Sequence, residues 1–398
     1  MDDEEDVSGI DLAEEELEPP ADNPVVIENV ADDSEGGDFE HIRPPDRRLI
    51  TQPYDLAIGD LVTQVTTRSL HLQPVYQRKY VWDNRKASKL VESLLINVPI
   101  PVCYLADEAD GSRSVIDGQQ RMRSLVRFLD NQFALTGLEV LSDLNRKKFH
   151  RLTERQQRLI RNRTIRCIVI TEDSDPEIRF DVFERLNTGS VPLNAQELRN
   201  SVFRGSFNTM LRETAQSSEF RRCLANRDDS RMAFEELVLR FMALDERLGL
   251  YRPNLKRFLN SYMRDHHDLG EKALEEKQQR FLATAEKAFV VFGGECFRRA
   301  EVDQETDEWD WRPTVNSAMF DAVMLNFARV DAPLADFRKA RREIEQMTAS
   351  LTFDNDDFED AISRATGDRT RLFTRVSIYA KELRRLGFES AILSEISG

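Results

Sequence analysis

The chain has 398 residues, 40% hydrophobic, 8% aromatic and 32% charged, which is enough apolar material for a sizeable core. Its formal net charge of −16 belongs to one end: 17 of the 72 acids lie in residues 1–40, which hold no Lys or Arg, so 55 acids face 56 bases in the rest. No stretch approaches the ~20 apolar residues of a membrane span, and the N-terminus is acidic where a signal peptide is basic and then apolar, so the expected location is cytoplasmic with no membrane partner.

Residues 1–48 join the acidic run to Pro19-Pro20, Gly36-Gly37 and Pro44-Pro45 with few large apolar residues, a composition that predicts a disordered acidic tail. The island Val25-Val26-Ile27 inside it reads as a docking motif. The tail as a whole reads either as a nucleic-acid mimic over a basic groove or as a solubilising segment. Structure begins near residue 52. Leu90, Val91, Leu94 and Leu95 recur at helical spacing over Arg85 to Asn97, with Asn84 as cap. Ile100 to Leu105 and Ser114 to Ile116, separated by a polar turn, read as a hairpin. Met122, Leu125, Val126 and Leu129 predict an amphipathic helix starting close to Asp117, and Ile165 to Thr171 a third strand.

Beyond residue 176 the pattern reads as consecutive helices, among them Phe234 to Leu248, Gln278 to Phe292, Val315 to Phe327 and Leu334 to Ala349. The predicted fold class is therefore α+β: a tail over 1–48, a mixed sheet with helices over 49–200, and an all-helical half over 201–398. Cys103, Cys167, Cys223 and Cys296 form no CxxC pair and read as reduced, buried thiols. The histidines show no metal-site spacing, and His266-His267-Asp268 reads as a solvated loop.

The segment richest in chemistry is Asp117-Gly118-Gln119-Gln120-Arg121, between a strand and a helix start. Unpaired amides and the helix dipole make such turns anion sites. Gly118 lets a phosphate approach, Arg121 offers a forked donor, Gln119 and Gln120 orient a ligand or water, and Asp117 holds a divalent cation or accepts a proton. The plainer alternative is a capped helix, with Asp117 as N-cap and Gln120 closing a capping box.

Three further segments stand out. Tyr76-Gln77-Arg78-Lys79-Tyr80-Val81-Trp82 mixes aromatic, basic and amide side chains that either clamp a nucleotide or enter the core. Phe183 to Gly189 ends a helix in a polar loop carrying Asn187 and Thr188. Between Arg146 and Arg166, nine Lys or Arg face the single acid Glu154. That run, with Arg151, Arg155 and Arg158 on it, reads either as a DNA-phosphate surface or as a solvated helix side.

In this order, Y-Q-R-x-Y-x-W at 76–82, E-S-L-L-I at 92–96, P-I-P at 99–101, D-G-Q-Q-R at 117–121 and F-E-R-L-N-T-G at 183–189 resemble the N-terminal domain of GmrSD-type restriction endonucleases. The likeness continues through A-Q-E-L-R-N at 195–200, E-L-V-L-R-F at 236–241 and K-R-F-L-N-S-Y-M at 256–263. The resemblance implies a fold similar to the ParB and sulfiredoxin superfamily. It also implies Mg²⁺-dependent binding and hydrolysis of a nucleoside triphosphate, coupled to recognition of foreign DNA. Carried over by motif, Asp117, Gln119, Gln120 and Arg121 would act on the triphosphate and Asp117 would take the metal, while Gln77, Arg78, Gly118, Asn187 and Thr188 would line the site.

Full-length enzymes of that family carry a further HNH-like nuclease domain after the helical half, and the last 130 residues here hold no His-Asn-His pattern. The expectation is thus a sensing subunit working with a separately encoded nuclease or other defence subunit, its oligomeric state open and a homo-oligomer among the options. Two other functions stay in play. One is a metal-dependent DNA nuclease of ParB-like type, for which the acids nearest Asp117 in sequence are Asp107, Glu108 and Asp110. The other is a non-catalytic module that binds DNA or protein.

Overall fold

The computed structural model of the chain describes residues 26–28, 48–72, 82–108, 110–186, 193–229, 231–302 and 308–397. The tail reading therefore lies outside the described residues except at Val26 to Glu28 and Arg48. In chain order the elements begin with β1 (Ile27–Glu28), β2 (Thr51–Ala57), α1 (Ile58–Thr66), β3 (Leu70–His71), α2 (Asn84–Leu95), β4 (Cys103–Asp107), β5 (Arg113–Asp117) and α3 (Gln119–Leu129). Then come α4 (Glu154–Asn162), β6 (Thr164–Ile170), α5 (Pro176–Leu186), α6 (Ala195–Val202), α7 (Ser206–Ala215), α8 (Ser218–Cys223), α9 (Ala233–Arg247), α10 (Leu255–His266) and α11 (Glu271–Phe292). The chain closes with β7 (Arg298–Val302), β8 (Trp309–Asn316), α12 (Ser317–Phe327), α13 (Leu334–Lys339), α14 (Arg341–Phe353), α15 (Asp356–Ser363), α16 (Arg369–Arg385) and α17 (Ile392–Ser397).

The first sheet is mixed and runs β2-β6-β4-β5-β3. The predicted hairpin is present as antiparallel β4 and β5, with Leu105 opposite Val115 and Tyr104 opposite Asp117 across a bulge. Parallel pairing sets Cys103 beside Cys167, so the start of β4, the end of β5 and the start of β6 share one end of the sheet. Leu61, Leu90, Leu94, Met122 and Leu125 from α1, α2 and α3 cover it, burying Leu105, Val115 and Val169. Asp83, rather than Asn84, caps α2 by accepting from the Lys86 amide, one residue before the expected position.

The α+β class stands, and the described residues of the C-terminal half are mainly helical; β7 and β8 form an antiparallel pair to which β1 adds in parallel, in the order β1-β8-β7, and Val330 bridges Ser390. The expected helix over Val315 to Phe327 accordingly starts only at Ser317, where the Asn316 side chain accepts from the amides of Ala318 and Met319. All eleven residues of α12 are buried, which makes it the axis of this half. The expected helix at Leu334 to Ala349 is two helices, broken at Ala340. One apolar cluster runs from Ala106, Ile170 and Phe180 through Leu198 and Leu237 to Met324 and Tyr379, so the core is continuous across residue 200.

The motifs at 195–200 and 236–241 form part of that joint. Every residue of α6 is buried, polar ones included. Arg199 reaches Glu236 at 3.0 Å and the Asn260 amide oxygen at 2.8 Å. Deeper in, Arg240 grips both oxygens of Asp321 at 2.6 Å and Arg375 donates to the same carboxylate at 2.6 Å, all three side chains being nearly inaccessible. Buried charge of this kind persists only when it is paired. All four cysteines are buried and none is in a disulfide. His266 is in the last turn of α10 rather than in a loop, its ring stacked on Tyr262 at 3.9 Å.

Candidate phosphate-binding turn

The end of β5 passes directly into α3. Asp117 is the last strand residue, and Gly118 is the N-cap in the left-handed region, with φ +97° and ψ 7°. Such backbone favours glycine. There is also no room for a side chain: a Cβ on Gly118 would stand 2.5 Å from the Sγ of Cys103. The capping-box alternative therefore does not hold, because the cap falls on a residue with no side chain and Asp117 stays in the strand. The start of α3 keeps a helix N-terminus without a side-chain cap, carrying the dipole and amide character that attract an anion.

Arg121 is one helical turn in from Asp117. Its Nη2 donates to Asp117 Oδ2 at 2.7 Å and to the Val102 carbonyl at 3.3 Å, while Nη1 donates to the Pro101 carbonyl. The guanidinium thus straps the Pro101-Val102 segment, before β4, to the turn after β5. Its side chain is mostly buried, whereas that of Asp117 is 42% exposed. The forked donor expected for phosphate oxygens is already engaged at rest, and a triphosphate would have to compete with Asp117 for it. Gln119 is buried, and Gln120 Oε1 accepts from the Trp82 amide at 3.4 Å, which ties the end of the 76–82 motif to the turn.

Gln77, Arg78, Asn187 and Thr188 lie outside the described residues, as do the segments 73–81 and 187–192 that carry them. Of the expected site, Asp117, Gly118, Gln119, Gln120 and Arg121 come together on the turn. Three contributors were not singled out from sequence: the carbonyls of Pro101 and Val102, and Cys103, whose thiol fills the space behind Gly118. Burial pushes that thiol up to about 11, against the nearby Arg121 charge, so it is a packing group rather than a thiolate at neutral pH. The P-I-P motif was the sequence signal for the carbonyls.

Asp117 stands apart from Asp107 and Glu108, two of the acids nearest it in sequence. Asp107 pairs with Arg113 at the far end of β4 and β5, and Glu108 accepts from Ser114 and faces Arg204. The four residue steps from Arg113 to Asp117 span about 13 Å of strand. Among the described residues no three His, Cys, Asp or Glu side chains are grouped to hold a metal ion. One half-exposed carboxylate fits Mg²⁺ carried in on substrate phosphates and keeping its waters, rather than an all-protein cage.

Within the basic run, Arg158 pairs with Glu154 at 3.5 Å on the exposed side of α4 and Arg161 lies over the Phe149 ring, while two others are taken up by more distant partners. Arg163 Nε donates to the Leu94 carbonyl at 3.0 Å, and Arg166 binds both oxygens of Asp55 at 2.6 and 2.7 Å. Arg151, Arg155 and Arg158 are exposed, together with Arg146, Lys148 and Arg161, and the capping box of Thr153 and Gln156 fixes α4, which carries several of them. α4 leads straight into β6, so its C-terminal end reaches the sheet end that carries the Asp117 turn.

Residues 58–204 match the family described as GmrSD restriction endonuclease, N-terminal domain, a stretch that covers the turn, the basic run and α6. No curated protein matches the chain. Among the described residues, no helix is long and apolar enough to cross a membrane.

Proposed function

We propose that this protein is a component of a DNA restriction or defence system, in which the Asp117–Arg121 turn binds and hydrolyses a nucleoside triphosphate and the exposed arginines of α4 contact DNA. The family of residues 58–204 supports the setting. The observation that carries the site is Gly118: a left-handed residue backed by Cys103, placed where a strand ends and an uncapped helix begins. Arg121 supplies fixed positive charge beside those amides, and Asp117 supplies a carboxylate within reach of solvent.

Binding of the triphosphate exchanges partners. Phosphate oxygens take the place of Asp117 at Arg121, and the freed carboxylate is then available to Mg²⁺ or to a water. Gln77, Arg78, Asn187 and Thr188, which lie outside the described residues, are the further contacts that the family resemblance implies, and the α4 face gives DNA a surface at the same end of the sheet as the turn.

Thermal unfolding tests the reading. Each of the four common nucleoside triphosphates with Mg²⁺ is added at a concentration well above any expected Kd, where a specific ligand raises Tm. Wild type is stabilised by at least one, and Asp117→Asn loses the Mg²⁺-dependent part of that shift. Absence of stabilisation by all four would instead favour a non-catalytic interaction module.

A further inference from the structure

Among the described residues, the acidic tail is tied to the C-terminal half at one point. Ile27 and Glu28 pair in parallel with Val315 and Asn316 of β8, and the Val315 amide donates to the Val26 carbonyl at 2.9 Å. Ile27 packs against the edge of the main core. The Glu28 carboxylate is held through both oxygens: Thr314 Oγ1 donates to Oε1 at 2.9 Å and Asn316 Nδ2 to Oε2 at 3.4 Å. Asn316 is wholly buried, and the same side chain caps α12 and donates to the Ile362 carbonyl at 3.0 Å.

We propose that the outer edge of β8 is a strand-docking site whose occupant is the Val26–Glu28 segment of this chain, bound in cis as a releasable latch. The edge recognises an extended peptide with an apolar residue followed by a carboxylate: the ladder bond reads the backbone, the core edge takes the apolar side chain, and Thr314 with Asn316 takes the acid. Pro313 offers no N–H, so docking is confined to the last two residues of β8. Two paired residues make a small interface, and what retains them is the tether. Chain continuity from Glu28 to Arg48, whose carbonyl accepts from the Asp175 amide on the first domain, keeps the segment at high effective concentration. Eleven of the tail's 17 acids precede the latch in sequence. This proposal does not depend on the nucleotide reading.

The test uses full-length protein and a fluorescent peptide of residues 21–32. Wild type, whose edge is filled, binds the peptide at least tenfold more weakly than Ile27→Asp, whose own strand is expelled. A peptide carrying Ile27→Asp binds neither protein. Hydrogen exchange at the Val315 amide is at least tenfold faster in the Ile27→Asp protein and slows again when wild-type peptide saturates it. Thr314→Val, which leaves the ladder and the Ile27 contact in place, gives an independent readout: faster Val315 exchange with unchanged far-UV and near-UV spectra. Equal peptide binding by wild type and variant, no binding by a folded variant, or unchanged Val315 exchange in both variants would overturn the proposal. So would a wild-type dimer that Ile27→Asp dissolves, since the strand would then dock in trans.

Discussion

The thiol of Cys103, the first residue of β4, stands 2.5 Å from where a Cβ on Gly118 would begin, so it and the left-handed Gly118 between β5 and α3 jointly fix the backbone of the Asp117 turn. Alanine at Gly118 combines the left-handed penalty of about 1–2 kcal/mol with overpacking of about 1–3 kcal/mol. Gly118→Ala therefore lowers Tm and abolishes nucleotide-dependent stabilisation. Adding Cys103→Ala relieves the crowding alone, so the double variant regains part of the Tm. A double variant no more stable than Gly118→Ala would show that the thiol does not limit the turn.

Arg121 is a strut as well as a charge. Arg121→Ala frees the Pro101 and Val102 carbonyls from their donor and removes the partner of Asp117. The expected loss is about 1–3 kcal/mol, read by chemical denaturation. Asp117→Asn keeps the backbone contacts of Arg121 and should cost no more than about 1 kcal/mol, while removing the cation ligand. A destabilisation by Asp117→Asn equal to that of Arg121→Ala would contradict this division of roles.

The exposed arginines of the α4 face act through charge. Replacing Arg151, Arg155 and Arg158 by Glu reduces DNA affinity across sequences, and the slope of log affinity against log salt becomes shallower by about 3. Arg342→Glu with Arg384→Glu and Arg385→Glu, three exposed sites on α14 and α16, serves as the control for net charge and leaves that slope unchanged. Equal losses in both variants would mean the protein senses overall charge rather than this face.

In the core, Asp321 holds Arg240 and Arg375 together. Asp321→Asn leaves two buried guanidinium groups without their carboxylate and costs about 3–5 kcal/mol, measured by urea unfolding. A cost below 1 kcal/mol would show that neighbouring carbonyls suffice.

Asp229 gives the fold a pH dependence. Burial pushes its carboxyl up to about 7, assisted by the charge of Glu235 and opposed by hydrogen bonds from the amides of Phe234 and Ala233. A folded value above the unfolded one means the stabilising state is the protonated one: its contribution is complete below about pH 4 and is lost as pH rises through 7. Asp229→Asn, which stays neutral and can still accept from those amides, raises Tm at pH 8 by an amount on the order of a few degrees and leaves it unchanged at pH 4. An equal shift at both values would assign the effect to packing.

Elements with strong periodicity were legible from sequence. The buried face of α3, the β4 and β5 hairpin, β6 and α9 fall within a few residues of their expected bounds. The turn was legible as a strand-to-helix junction but not in its detail, because side-chain preference at N-caps points to Asp117 while the backbone conformation of the junction admits only Gly118. The β7 and β8 pair was missed because its sequence is charge-rich and contains Pro313, and because its outer partner lies nearly 290 residues away in the tail. Long-range partners also decide which basic residues are available. Arg163 and Arg166 look like their neighbours until Leu94 and Asp55 take them up.

Phosphate release from the full-length protein, with each of the four nucleoside triphosphates and Mg²⁺, with and without DNA, tests the central claim most directly. Wild type should turn over at least one of them, with a rate that DNA changes and that Asp117→Asn abolishes while the variant remains folded. Turnover that survives in folded Asp117→Asn, or none from wild type under any of these conditions, would contradict the assignment of the turn as the hydrolytic site.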